Sequence, residues 1–172
     1  MPPNHVAFRM ARTSDSAAIA LLLAEAYHHA ARHRGERVNP DEAVRTMAWQ
    51  ECRTYLLTID GEIVGVLQTR AGADRLWIDN FAVHPRFQRR GHGRSLLILA
   101  DHLARHAGLS ALCFEQPASI ADSYALHEKF GFELEGPGGS EKGPGMHLVR
   151  HLTPPMPIRS MHSWDNETRS TA

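Results

Sequence analysis

Three arginines and two glycines crowd the stretch Gln88-Arg89-Arg90-Gly91-His92-Gly93-Arg94, and together they specify a site for an anion. A helical pattern begins in this stretch, with Leu96, Leu99 or Ala100, Leu103 and Ala107 on one side. The first turn of any helix carries N–H groups without an internal acceptor, and the helix dipole adds partial positive charge at the same end. Glycine at 91 and 93 leaves the backbone bare to an approaching ligand. Arg89, Arg90 and Arg94 supply formal charge. A phosphate fits such a turn, most naturally a pyrophosphate. Spacing sets two familiar phosphate loops aside. The dinucleotide fingerprint needs a third glycine where this chain has Leu96. The P-loop needs Gly-Lys-Ser/Thr where this chain has Gly93-Arg94-Ser95, and its first glycine would lie farther upstream.

Histidine is the other conspicuous residue, with 12 copies, of which His28, His29 and His33 cluster. No Cys, Asp or Glu is spaced to complete a zinc site with them, so no metal is expected and they read as solvent-facing or cleft-lining groups. Cys52 and Cys113 have no metal-like spacing either and read as buried thiols of a cytoplasmic protein. Lys+Arg and Asp+Glu are both 19. That balance argues against a general nucleic-acid binder, which needs a basic excess. No apolar run approaches the length of a membrane span, and MPPNHVAFRM lacks the layout of a signal peptide. Neither nucleic acid nor membrane is an expected partner.

At 172 residues the prior is one domain. Val6–Met10 is a short strand, and Thr13-Ser14-Asp15 caps a helix over 16–31 whose apolar face is Ile19, Leu22, Leu23, Ala26 and Tyr27. A basic loop with Arg32, Arg34 and Arg37 precedes a second helix from Asn39 or Asp41 to about Cys52. Strands 54–59 and 62–69 flank Asp60-Gly61, a strong hairpin signal, and Gly72-Ala73-Asp74 turns into a central strand, 76–83. After the phosphate turn and its helix, Gly108 is a natural cap, and 109–115 is a buried-type strand expected to run parallel to the central one. A fourth helix follows from Pro117 or Ser119 to Phe130, ended by Gly131, then a strand from Phe132. The stretch Gly136–Gly145 holds five glycines and two prolines, which predicts irregular backbone and suggests a flexible lid. A last strand covers 146–152, and 153–172 is Pro-rich and polar, a flexible tail outside the domain at 6–152. The class is therefore α/β (α+β): a mixed central sheet of about seven strands with four helices, in the order β-α-α-β-β-β-α-β-α-β-β.

Gln88-x-x-Gly91-x-Gly93 with the lead-in Phe81-x-Val83-x-Pro85 resembles the acetyl-CoA loop of the GCN5-related N-acetyltransferase (GNAT) family. The element order over 6–152 is also what that family's fold looks like. Leu126, Glu128, Lys129, Gly131 and Phe132 match a second family motif near the end of the fourth helix.

The resemblance implies transfer of an acetyl group from acetyl-CoA, as cosubstrate, to a primary amine of a small molecule or peptide. It carries pantetheine contacts to the backbone of Phe81, Ala82 and Val83. Pyrophosphate contacts fall on Arg89, Arg90, Gly91, His92, Gly93, Arg94 and Ser95, with Gln88 closing the turn. The family's usual tyrosine donor to the departing thiolate is replaced here by His127, with Tyr124 one helical turn away. An imidazole can donate a proton and brings pH dependence near its intrinsic pKa of ~6.5. The family's early asparagine in this helix is also replaced, by Ile120. Asp79, read as sharing a strand face with Phe81 and Val83, is the candidate base, acting through water. Glu25 is a second acid, and His28, His29 and His147 fall near the acceptor side. The acceptor's identity is not written in the sequence. The missing tyrosine keeps a second class in view, an acyl-CoA-binding sensor or scaffold with little catalysis. Family members are often dimers, so a homodimer stays open.

Overall fold

The computed structural model describes residues 5–34, 52–117, 128–140 and 143–153. The second helix, most of the fourth with Tyr124 and His127, and the chain beyond Thr153 lie outside these described residues. Seven strands form one sheet: β1 (Val6–Met10), β2 (Arg53–Ile59), β3 (Glu62–Ala71), β4 (Arg75–Val83), β5 (Ala111–Pro117), β6 (Glu133–Ser140) and β7 (Gly143–His151). Their spatial order is β1-β2-β3-β4-β5-β7-β6, and β4–β5 is the parallel pair among antiparallel neighbours. Two described helices pack on it, α1 (Ser16–Arg34) and α2 (His92–His106). Neither is long and apolar enough to cross a membrane.

Local chemistry explains most of this order. Asp60 and Gly61 both take positive φ, 50° and 87°, the twist that a two-residue hairpin loop needs. Gly108 at φ 70° ends α2, and the N–H of Leu109 reaches back to the carbonyl of Ala104. The chain must then cross over the sheet to run beside β4, which is why β4 and β5 are parallel.

Two apolar layers sandwich the sheet. Ile19, Leu22, Leu23 and Ala26 of α1 pack on Leu56, Val66 and Ala82. On the opposite face Leu96, Leu97, Ala100 and Ala104 of α2 join Leu57, Leu67, Ile78, Val83, Leu112 and Phe132.

The structure corrects two expectations. The glycine-rich stretch 136–145 is not irregular where it is described: β6 and β7 pair through it, with Gly136 opposite His147, Gly138 opposite Gly145 and Ser140 opposite Gly143. A strand needs no side chains to make its backbone ladder, and β5 gives β7 a partner on its other edge. Nor does Asp79 share a face with Phe81 and Val83. The β3–β4 register jumps from Gln68 opposite Asn80 to Thr69 opposite Ile78, so Asp79 is the extra residue of a bulge. Leu76 and Ile78 before it, and Phe81 and Val83 after it, all belong to the core beneath α2. Strict alternation cannot put them there together, and the inserted residue supplies the change of phase.

Candidate active site

The parallel ladder between β4 and β5 ends at Ile78 opposite Phe114, while β4 runs on to Val83 and β5 to Pro117. Beyond that last pair the strands part. The N–H of His84 donates to the carbonyl of Val64, which fixes which β4 residues bond to β3. By antiparallel alternation Asn80 and Ala82 turn their backbone groups toward β3, and Phe81 and Val83 turn theirs into the gap. The gap is therefore lined on one side by main-chain donors and acceptors aimed at its interior. The rings of Phe81 and Phe114 meet edge to face at 5.9 Å between centroids, and Phe114 meets Phe132 at 5.2 Å.

The turn that follows is built around backbone strain. Arg89 takes φ 64° and Gly91 φ 88°, and Gly91 is the residue that caps α2. Inside the turn, Gln88 Nε2 donates to the carbonyl of Val83 at 3.0 Å, tying the loop to the end of β4. The N–H of Ser95 is the first to bond back, to the carbonyl of Gly91 at 3.1 Å, so the N–H groups of His92, Gly93 and Arg94 point out of the helix end without a helical acceptor. A Cβ at Gly93 would stand 3.6 Å from the ring of Phe81. The bare glycine thus keeps open the passage from the helix end to the strand gap. Arg90 lies over the ring of Phe87, its guanidinium carbon 5.7 Å from the centroid. These features suit a diphosphate joined to an extended chain: oriented N–H groups and positive charge at one end, peptide-like partners along a strand at the other.

On the opposite face, Asp79 holds Arg70 at 3.3 Å through one carboxylate oxygen and receives the Cys52 thiol at 3.2 Å on the other. Arg70 also lies over Trp77, 5.6 Å from its ring centroid, and Trp77 meets His147 edge-on at 5.1 Å. The sequence pattern pointed to neither Arg70 nor Trp77. Cross-strand register brings them together, and a linear pattern carries no trace of register. Beneath this group runs a buried polar chain. The Tyr27 hydroxyl donates to Asn80 at 2.8 Å, Asn80 to Gln68 at 2.6 Å, and Gln68 to Thr54 at 3.3 Å. Burial pushes the Tyr27 hydroxyl up to about 12.

Glu25 pairs with His84 Nε2 at 2.8 Å, while His84 Nδ1 accepts the N–H of Arg86 at 3.2 Å. The pair thus links α1 to the residue that follows β4 and precedes the glycine turn. Glu25, His28, His29 and Arg32 line an open hollow beside Pro85 of about 390 Å³. No group of three or more His, Cys, Asp or Glu among the described residues is arranged to hold a metal ion.

Comparison with known proteins bears on this geometry. The model of the acetyltransferase (GNAT) family matches residues 20–132. A [ribosomal protein bS18]-alanine N-acetyltransferase of Escherichia coli K12 is 37% identical over 92 residues, 51% of this chain and 62% of that protein. The match thus spans less than two thirds of the relative's length. The crystal structure of the ribosomal-protein-S18-alanine N-acetyltransferase from Escherichia coli superposes with a TM-score of 0.66 at 21% identity, covering 87% of this chain and 95% of that one. The paia N-acetyltransferase of Thermoplasma acidophilum, solved with coenzyme A, gives 0.70 at 13% identity, covering 86% and 99%.

Proposed function

The chain belongs to the GNAT acetyltransferase family, and from that premise we propose that it transfers the acetyl group of acetyl-CoA to a primary amine. The observation that carries the reading is the continuity of the strand gap with the open end of α2. Backbone groups of Phe81 and Val83 face the gap, and the glycine turn with its arginines closes one end of it.

In this reading the pantetheine arm lies along Phe81, Ala82 and Val83. The diphosphate sits on the backbone of Arg89–Ser95, and Gln88 holds the turn shut. His127 donates to the departing sulfur, with Tyr124 the alternative donor. Asp79 faces the side from which the amine arrives. Its charge is shared with Arg70 and Cys52, so we give it the task of attracting and holding the ammonium, with water between them. Because the relative is named for an alanine of a ribosomal protein, a peptide with a free amino-terminal alanine is the first acceptor to try.

Thermal unfolding with acetyl-CoA, CoA, ATP and NAD tests the site, in the wild type and in Gly91→Glu. A ligand at about 100 times its dissociation constant adds roughly 2.7 kcal/mol. CoA species alone should raise the midpoint, and Gly91→Glu should lose the shift. A shift with ATP or NAD and none with acetyl-CoA overturns the assignment. Release of CoA thiol that depends on the added peptide then separates a transferase from a protein that only binds.

A further inference from the structure

The sheet has two faces at the gap, and they differ chemically. The phosphate turn and α2 occupy one, with Ile78, Phe81 and Val83 beneath them. A thioester delivered from that face enters between β4 and β5, and an amine must come from the other. That second face holds Trp77, Asp79, Arg70 and His147.

Register places His147 level with the mouth of the gap. Asp79 is the first β4 residue beyond the last parallel pair, Ile78 opposite Phe114. Glu115 is the first such residue on β5, and His147 is the residue opposite it on β7. Trp77 and Val149 share one small cluster with Cys113, and His147, two residues before Val149, meets the Trp77 ring on that same face. The imidazole meets the Trp77 ring edge-on with 5.1 Å between centroids, and the side chain is only partly buried.

We propose that His147 is the group that takes the proton from the acceptor amine. The proposal rests on the acetyl-transfer reading above. The ammonium gives its proton to an imidazole nitrogen, and the freed lone pair forms the new C–N bond at the thioester carbon. The C–S bond then breaks, and the thiolate takes up, directly or through the sulfur's donor, the second proton that the new amide nitrogen must lose, so that one proton ends on the imidazole and one on the sulfur. Imidazole suits the task because it is largely the free base at neutral pH and still strong enough to hold a proton. Asp79 suits it less: one of its carboxylate oxygens already receives Arg70 and the other the Cys52 thiol. The charged residues on the strands around His147 include Glu115, opposite it on β5, with Arg70 on β3 and Asp79 on β4 on the Trp77 side of the sheet; its neighbour on β6 is Gly136.

The test compares His147→Gln, Glu115→Gln and Asp79→Asn with the wild type, using acetyl-CoA and an alanine-initiated peptide. His147→Gln should keep the thermal shift given by acetyl-CoA. Its kcat should fall about 10²–10⁴-fold, the range for loss of a general base, with little change in KM for acetyl-CoA. The fall of kcat/KM toward acid pH should flatten in that variant, and added imidazole should restore part of the rate to His147→Ala. In the wild type, the His147 ring resonances should move when the peptide joins the CoA complex. Full activity in His147→Gln, or an acid limb abolished by Glu115→Gln and untouched by His147→Gln, overturns the proposal. A wild type that binds acetyl-CoA and acetylates none of a panel of amines would instead remove the transfer reading beneath it.

Discussion

Gly91 and Gly93 stand two positions apart and are glycine for different reasons. Gly91 is at φ 88°, and a Cβ there would meet nothing within 4 Å. Its requirement is conformational, so Gly91→Ala should cost about 1–2 kcal/mol by forcing an L-residue into the left-handed region. Gly93 has ordinary helical surroundings, and its Cβ would sit 3.6 Å from Phe81, a normal contact. Gly93→Ala should therefore leave stability unchanged or slightly raised, since alanine favours helix by up to ~1 kcal/mol over glycine. It should still weaken acetyl-CoA binding, because the methyl narrows the approach to the N–H groups. Urea denaturation with and without acetyl-CoA separates the two effects. Equal loss of stability in both variants would remove the distinction.

The element scale is where α1 is joined to the central strand. Its apolar stripe is enough to dock it, yet one polar bond crosses the same interface, from Tyr27 to Asn80 beside the bulge. Tyr27→Phe leaves the buried Asn80 oxygen without its donor, which should cost about 1–3 kcal/mol. The pH dependence has a definite sign. The hydroxyl ionises near 10 when unfolded and at about 12 in the folded chain. The neutral form is the one the fold favours. Its contribution is complete below pH 10 and disappears as pH rises from 10 toward 12. The wild type should lose stability over that interval more steeply than Tyr27→Phe, and equal slopes would show that the hydroxyl titrates alike in both states. The apolar stripe of α1 and the Asp60-Gly61 hairpin were legible in the sequence because both are local: side-chain period in one case, backbone twist in the other. The bulge at Asp79 was not, because it exists only as a mismatch between two strands. Reading the alternation straight through put Asp79 on the wrong face.

Across the whole molecule, the sheet and α2 are fitted to each other at one close contact. A Cβ on Gly65 would lie 3.1 Å from Leu96 Cδ1 and 3.3 Å from Leu57 Cβ, in a core where both leucines are fully buried. Gly65→Ala should destabilise by about 1–3 kcal/mol through overpacking. Leu96→Ala should cost about 2–5 kcal/mol through the space it leaves. Because each change relieves the other, the double variant should lose less than the two costs combined. Simple additivity, measured by denaturant unfolding, would mean that the helix shifts to absorb either change alone. The strand sequence and the phosphate turn were readable at this scale because successive elements usually pack side by side. The glycine-rich β6–β7 pair was misread because glycine weakens local preference for a strand without forbidding one. The pairing with β5 supplies what the segment lacks by itself.

The bulge has a further consequence, best put as a reading frame. Before Asp79 the core beneath α2 is spelled by even-numbered residues, Leu76 and Ile78; after it the spelling is odd, Phe81 and Val83. Any substitution at 79 preserves that punctuation, whatever it does to chemistry. Deleting the residue keeps the spelling too, because it removes the one extra letter: Leu76, Ile78, Phe81 and Val83 then fall on one face of an unbroken alternation, and Thr69 opposite Ile78 and Gln68 opposite Asn80 become successive rungs of one ladder. A single missing codon there is thus an erased comma. Denaturant unfolding of the deletion variant should find the sheet intact, and what is lost is the carboxylate that holds Arg70 and the Cys52 thiol.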